Sequence, residues 1–551
     1  MINTEKKKQK WTLMFFFASD NTLSPSTLSQ LKSIKAAGSQ LDTNVLVYFD
    51  PNEKGAPTRV FEINQEDKTR ASSNIGNADG PLVSVLTCDS ISPDTISKMP
   101  GQLSRNFGTS LGNVDMLQAS QALENFLGFC RESYPAEHYM LFLLGHGLVV
   151  GRDAFLPDDN PESAIGLKTL GSILHKFSGE ISNEGEVLEL LGMHSCSMSS
   201  VEVAYELKGA ASYMLASQGL SFVGSWPYRQ MLVKIYNAVE QSDNVNVPEL
   251  MKSLHSLCIQ YSADFMYAGY SADITLCSLD PQRVESLTEP ISFLACALID
   301  GLKNARCKEL ILLAHWKSQS YWQETYTDLY DFCLCLRRLC EWPKRRLQDQ
   351  TDELTRRGSD PKRIAIIDAC TAVIGKLRPQ NGAQADGPVV RTDFIGPDVQ
   401  YSHGLSIYFP WSEPVKDEND RIIQNYGDYA FTGGLTREPW LEFLKAYFQE
   451  TEREDRLSEE LRFGDEDTSY QRNPDYQRAL DAGRLTFAAA VATDGHEFTP
   501  MSALEGKISP PDAGGGACAC ASTKNYSRQF SMSPGVADVF GGGKSRPARA
   551  A

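Results

Sequence analysis

The sequence predicts an α/β protein. The expected form is a sheet covered on both faces, with an added helical region and a disordered C-terminal tail. Three observations carry this. Short, nearly unbroken apolar runs alternate with helical patterns through the first 230 residues, as strands covered on both faces do. From about 230 to 380 the pattern turns mainly helical. After 450 the chain becomes strongly charged (452–467), and 505–551 is dominated by Gly, Ala, Ser and Pro, a composition that buries too little apolar surface to order. The expected division is therefore a core over 1–230, a mainly helical region over 231–450 whose late strand returns to the core, and a tail over 451–551.

The elements follow in order. The run 12–18 reads as the first strand, 44–49 as the second, and 138–144, 187–193 and 213–216 as three more. Helical spacing covers 115–130 and 199–209, while 89–113, rich in Ser, Pro, Gly and Asn, reads as a long loop. Further helices are expected over 281–304, 326–341 and 438–450, with a late strand at 404–410.

Charge and composition exclude some functions. Asp and Glu number 70 against 53 Lys and Arg, a net charge of -17 in 551 residues, and a nucleic-acid binder would show a basic face instead. No stretch approaches the roughly 20 apolar residues of a membrane span. Lys6, Lys7, Lys8 and Lys10 precede an apolar run, as in a secretion signal, but the run ends in Ser19-Asp20-Asn21 with no small-x-small cleavage site. We read it as a buried strand, and expect a cytoplasmic protein. Thirteen scattered cysteines fit reduced thiols rather than a disulfide framework. The pairs Cys333/Cys335 and Cys518/Cys520 lack zinc-ribbon spacing, so no metal or other cofactor is expected from the residues.

Two apolar strands run into reactive residues. Leu141-Phe-Leu-Leu-Gly145-His146-Gly147 ends in a histidine between glycines, and Leu190-Leu-Gly-Met-His194-Ser195-Cys196 ends in a thiol. In open α/β sheets the carboxyl ends of the strands face one crevice. Cys196 is expected just ahead of a helix, whose N-terminus favours the thiolate. His146 would take and return a proton, and the N–H groups of Gly147 and Cys196 would form an oxyanion hole. The competing reading makes Cys196 a buried packing residue and His146 a donor to a carbonyl. Ser199-x-x-Glu202 reads as a capping box on the following helix.

Several of these segments resemble the clostripain family of cysteine peptidases. They are Trp11-Thr-Leu-Met-Phe-Phe-Phe-Ala18-Ser-Asp20-Asn21, the segment from Tyr134 to Gly147, and Cys196-Ser-Met198-Ser-Ser-Val-Glu202-Val-Ala-Tyr-Glu-Leu207. Ala216-Ser217-Gln218, Gly224-Ser-Trp226-Pro227-Tyr228 and Gly404-Leu-Ser-Ile-Tyr-Phe-Pro410 follow in family-like order. The resemblance spans roughly residues 10–450 and implies a caspase-like fold, an α/β/α sandwich with a mostly parallel central sheet, and a His–Cys dyad cleaving peptide bonds. It makes His146 the general acid/base and Cys196 the nucleophile, and places His194, Ser217, Gln218, Trp226 and Tyr228 at substrate-binding positions. Calcium enters only through this resemblance, because no loop here has the spacing of an EF-hand.

One position departs from the family. Two residues before the cysteine, where an Asp usually selects Arg or Lys at the scissile bond, stands His194. Basic preference is thus in doubt unless another acid, such as Asp158 or Asp159, supplies the charge, and a His194→Asp substitution is expected to gain on basic substrates. The stretch between His146 and Cys196, whose first part 147–165 is turn-forming, suggests a zymogen cut there, by itself or by an upstream activating protease, at Arg152 or Lys168. The expected partner is a protein or peptide substrate, with neither nucleic acid nor membrane. A catalytically silent scaffold, and an amidase or transpeptidase with the same dyad, remain the alternatives.

Overall fold

The computed structural model describes residues 8–40, 42–52, 58–63, 118–148, 155–159, 162–242, 244–266, 270–322, 324–346, 360–378, 386–411, 426–433 and 439–462. Strands β1 (Gln9–Ser19), β2 (Thr43–Pro51), β3 (Arg59–Ile63) and β4 (Ala136–Leu144) come first. A hairpin of β5 (Phe155–Asp159) and β6 (Glu162–Ile165) precedes β7 (Val187–His194) and β8 (Tyr213–Ala216). Later come β9 (Ala272–Ser278), β10 (Ser320–Tyr321), β11 (Tyr326–Asp328), β12 (Val389–Ile395) and β13 (Ser406–Tyr408).

Eight strands form the central sheet, in the order β12-β9-β8-β7-β4-β1-β2-β3. The inner five, β8-β7-β4-β1-β2, are parallel, while β3, β9 and β12 pair antiparallel. The near-continuous apolar runs of the inner strands follow from cover on both faces. Along β1, Met14, Phe16 and Ala18 enter one core while Leu13, Phe15 and Phe17 enter the other, the period of two of an extended chain.

The second face packs under α1 (Ser24–Ala37), with Leu31 and Ile34 inward. The first face packs under α2 (Ala119–Ser133), α3 (Leu167–Ser182) and α4 (Val201–Leu207) through Phe126, Leu174 and Val203. Helices α5 (Tyr228–Gln241) and α6 (Val247–Met266) rejoin α1 on the second face. The first face is completed by α7 (Pro281–Glu285), α8 (Thr288–Leu302), α9 (Ala305–Lys317), α10 (Leu329–Arg346) and α11 (Pro361–Leu377). After α12 (Ala430–Gly433), α13 (Pro439–Arg462) closes it with Trp440, Phe443 and Tyr447. Among the described residues no helix is long and apolar enough to cross a membrane.

The structure corrects several expectations. The boundary at 230 does not divide the sheet, since β9 and β12 lie beyond it and extend the core sheet. The late strand at 404–410 is β13, which joins β10 and β11 in a separate three-stranded sheet and touches the core through a Ser200–Ser406 bridge. The helix expected over 281–304 breaks into α7 and α8, and the one over 326–341 begins as β11. Helix α13 runs through Arg462, so the boundary at 450 falls inside it. The loop 89–113 and the low-complexity tail lie outside the described residues.

Candidate active site

Strands β4 and β7 are parallel neighbours, with Leu144 opposite His194. His146 and Cys196 therefore leave adjacent strands two residues later, at the same edge of the sheet. Gly147 brings the two turns into contact. A Cβ there would lie 1.8 Å from the carbonyl oxygen of Cys196, 2.6 Å from its carbonyl carbon and 2.8 Å from its nitrogen, so glycine alone fits. His146 is buried, with Nε2 3.4 Å from the Thr22 hydroxyl, and its carbonyl accepts the Leu156 N–H at 3.2 Å.

The thiol is framed by one loop. The Ser221 N–H points at Cys196 Sγ from 3.4 Å, and the thiol in turn points at the Ser221 carbonyl from 3.8 Å. Ser197 adopts φ +58°, a left-handed conformation costing a non-glycine residue about 1–3 kcal/mol unless its surroundings hold it. They do so here: its N–H donates to the Gly219 carbonyl at 3.0 Å, and the Ser199 N–H donates to the Ser217 carbonyl at 2.9 Å.

The helix expected directly behind Cys196 begins later. Helix α4 starts at Val201 with Ser200 as its cap, the Ser200 hydroxyl accepting the Val203 N–H at 3.3 Å. Cys196 stands four residues ahead of that cap, beyond the first turn where a helix dipole acts. The Ser199–Glu202 capping box does not form. Glu202 turns inward, its Oε1 accepting the Tyr408 N–H at 2.9 Å and the Tyr426 hydroxyl at 2.7 Å, and burial raises its pKa.

His194 is a strut rather than a pocket wall. Its Nε2 lies 2.7 Å from the Phe222 carbonyl, its Nδ1 2.8 Å from the Tyr228 hydroxyl, and its ring stacks on Trp226 at 4.7 Å. A carbonyl only accepts, so Nε2 carries the hydrogen and Nδ1 accepts from Tyr228. Burial pushes its pKa down to about 3, which keeps the ring neutral. Both nitrogens are thus committed to the protein.

The same correction applies along the loop. The Ser217 hydroxyl lies 3.4 Å from the Ser195 and Gly219 carbonyls. Gln218 is wholly buried: its Oε1 accepts the Gly404 N–H and its Nε2 donates to Asp328, each at 2.9 Å. Tyr228 is spent on His194. Of the expected substrate-binding set, Trp226 alone keeps an unbonded group, its indole Nε1; the Ser221 hydroxyl beside Cys196, which the sequence reading missed, is unbonded too.

The remaining expected residues lie elsewhere. Asp158 and Asp159 end β5 beside β1; Asp159 donates its N–H to the Asp20 carbonyl and accepts from Asn52 at 3.0 Å, with β4 and β1 between β2 and β7. They supply no charge next to His194. Lys168 is the exposed second residue of α3, not a loop residue, and Arg152 lies outside the described residues. Among the described residues no group of three His, Cys, Asp or Glu side chains stands as a metal site requires.

One further acid was missed. Asp273 on β9, fully buried, accepts the N–H groups of Gln218 at 2.7 Å and Gly219 at 2.9 Å. An acid inside the strand-like run Ala272-Asp-Ile-Thr-Leu-Cys277 was its only sequence signal.

A model of the clostripain family, peptidase C11, matches residues 15–447. Clostripain from Hathewaya histolytica is 23% identical over 380 residues, 60% of this chain and 66% of that protein. The chain thus spans just under two thirds of that relative's length. An inactive zymogen C11 protease from Parabacteroides distasonis aligns with 16% identity and a TM-score of 0.43, over 78% of this chain and 98% of its own. A secreted C11 cysteine protease from Bacteroides thetaiotaomicron, in complex with an irreversible peptide inhibitor, aligns with 13% identity and a TM-score of 0.42, over 80% and 99%.

Proposed function

The chain belongs to the clostripain family, and from that premise we propose that it is a cysteine endopeptidase acting through Cys196 and His146. The observation that carries the reading is the contact of Gly147 with the Cys196 backbone, which joins the two strand ends into one site. Cys196 Sγ passes its proton to His146 and attacks the scissile carbonyl carbon, and the carbonyl electrons move onto oxygen, facing the N–H groups of Gly147 and Cys196. The C–N bond breaks as His146 gives its proton to the leaving amine, leaving a thioester. Water, losing a proton to His146, then releases the acid and restores the thiol.

Specificity follows from His194. A neutral, fully bonded imidazole offers a guanidinium or ammonium no partner. No charged partner is thus offered at this position, and we read the primary pocket as taking an uncharged side chain. Activation by a cut between His146 and Cys196 is retained at Arg152; Lys168, inside a helix, is a poor site, since a peptidase needs an extended strand.

The test is purified protein with a peptide library varied at the position before the scissile bond. Turnover that Cys196→Ala and His146→Ala each abolish supports the dyad, and turnover surviving either overturns it. No cleavage of any peptide favours the silent scaffold, and cleavage confined to amide side chains or transfer to amines the other two readings. Mass analysis of the active protein shows whether the chain is cut, and full activity of intact Arg152→Ala protein rules cleavage there out as the switch.

A further inference from the structure

We propose that Asp273 is a positioning residue for Cys196, its carboxylate holding the peptide groups of Gln218 and Gly219 and, through them, the loop that aims the sulfur. The inference rests on the cysteine-peptidase reading of the site. Strand β9 runs antiparallel to β8, with Thr275 opposite Ala216, so its start meets the carboxyl end of β8. There the two oxygens of Asp273 accept two successive backbone N–H groups, Gln218 at 2.7 Å and Gly219 at 2.9 Å.

The carbonyls of the same loop face the other way. Those of Ser217 and Gly219 accept the N–H groups of Ser199 and Ser197, in the turn that follows Cys196, and the Ser221 N–H reaches Sγ. The loop is therefore a rail with Asp273 on one side and Cys196 on the other. Gly219 is tight against that carboxylate: a Cβ would sit 3.0 Å from Asp273 Oδ1 and 3.2 Å from the Tyr321 ring.

Both N–H groups need acceptors, which an ionised carboxylate supplies and a protonated one supplies less well. The groups facing Asp273 are Asp328 on β11 and Tyr321 on β10, with Asp331 and His403 gathered on Asp328. Burial and the nearby Asp328 push the Asp273 pKa up to about 6. Holding a buried charge beside a second acid disfavours the ionised form, so packing alone does not explain the residue.

Two measurements decide this, neither needing a peptide substrate, so a failure of the peptidase reading would leave them interpretable. In the wild-type protein, deuterium exchange of fragments covering 217–221, corrected for intrinsic rate, is expected to show protected Gln218 and Gly219 amides at pH 7. That protection is lost as the pH falls through about 6. Fast exchange at pH 7, or protection unchanged down to pH 5, overturns the proposal. In folded Asp273→Asn, alkylation of Cys196 by iodoacetamide at pH 7 is expected to slow at least tenfold, and the acid limb near pH 6 to vanish from its rate profile. A wild-type rate with a wild-type profile also overturns it. Should that variant fail to fold, the wild-type exchange decides alone.

Discussion

The parallel and antiparallel parts of the sheet approach the same crevice from opposite ends. The parallel strands β4 and β7 arrive by their carboxyl ends and deliver His146 and Cys196. The antiparallel β9 arrives by its amino end and delivers Asp273 to the loop that frames the thiol. Strand direction thus sorts residues by position: the turns leaving the parallel strands carry the histidine and thiol of the proposed dyad, and the acid entering β9 holds backbone N–H groups. The difference teaches that a site at the edge of a mixed sheet has two sources. Its chemistry and its rigidity need not come from the same strands.

That division can be broken from the parallel side first. Cys196→Ala is expected to remove activity outright, on the order of 10⁴-fold or more, and labelling by a thiol-directed peptide inhibitor with it. Gly147→Ala should be nearly as damaging, because its methyl would overlap the Cys196 carbonyl; near-normal turnover would show that the two turns separate in solution. His146→Ala is expected to lose about 10²–10⁴-fold in kcat. On the antiparallel side the loss in Asp273→Asn is expected to be smaller and to appear as altered thiol reactivity.

His194 tests the boundary between the two roles. It leaves a parallel strand, yet it acts as structure, so His194→Asp is not expected to improve cleavage after Arg or Lys. A carboxylate there would face the Phe222 carbonyl in a buried site, a loss of about 3–5 kcal/mol on the scale of an uncompensated buried charge. Denaturant unfolding and the peptide panel check both halves, and a stable variant gaining on basic substrates would restore the pocket assignment.

The smallest effect is on stability against pH. Burial lowers His194 to about 3, His255 to about 4 and His315 to about 3, all below the ordinary value near 6.5. A histidine lowered in the folded state binds its proton more readily when unfolded, so its stabilisation is complete above about 6.5 and is lost toward 4. Asp273, raised to about 6, has the opposite sign, because its ionisation between about 4 and 6 costs the folded state. Asp159, Glu202, Glu324, Asp331 and His403 are raised as well and share the sign of Asp273, so the histidine contribution is read by difference: between pH 7 and pH 5 a His315→Gln variant is expected to lose less Tm than the wild type. The same Tm change in both proteins would contradict this.

The inner strands were legible because cover on both faces writes a continuous apolar run, and the placing of His146 and Cys196 at one sheet edge because each follows one of them. The antiparallel strands were not. Strand β12, Val389-Val-Arg-Thr-Asp-Phe-Ile395, is only half buried and mixes polar residues in, so no clean run marks it. Strand β9 is short and carries an acid whose partners, Gln218 and Gly219, stand more than fifty positions earlier. The start of α4 was misread for a local reason, since Ser197 takes a left-handed turn and Ser200, not Ser199, caps the helix. His194 misled because its sequence position does not show that both ring nitrogens are already bonded.

The contacts of β13 have a further consequence, for the timing of synthesis. The Ser406 N–H donates to the Ser199 carbonyl at 3.0 Å, three residues past the nucleophile, and the Ser199 hydroxyl donates to the Gly404 carbonyl. The indole N–H of Trp440 in turn donates to the Tyr408 carbonyl at 3.1 Å. The nucleophile is made early by the ribosome, but the strand that braces it is made more than two hundred residues later. A growing chain therefore carries its thiol with that brace still unmade, and the site is completed only when the helix beginning at Pro439 has emerged.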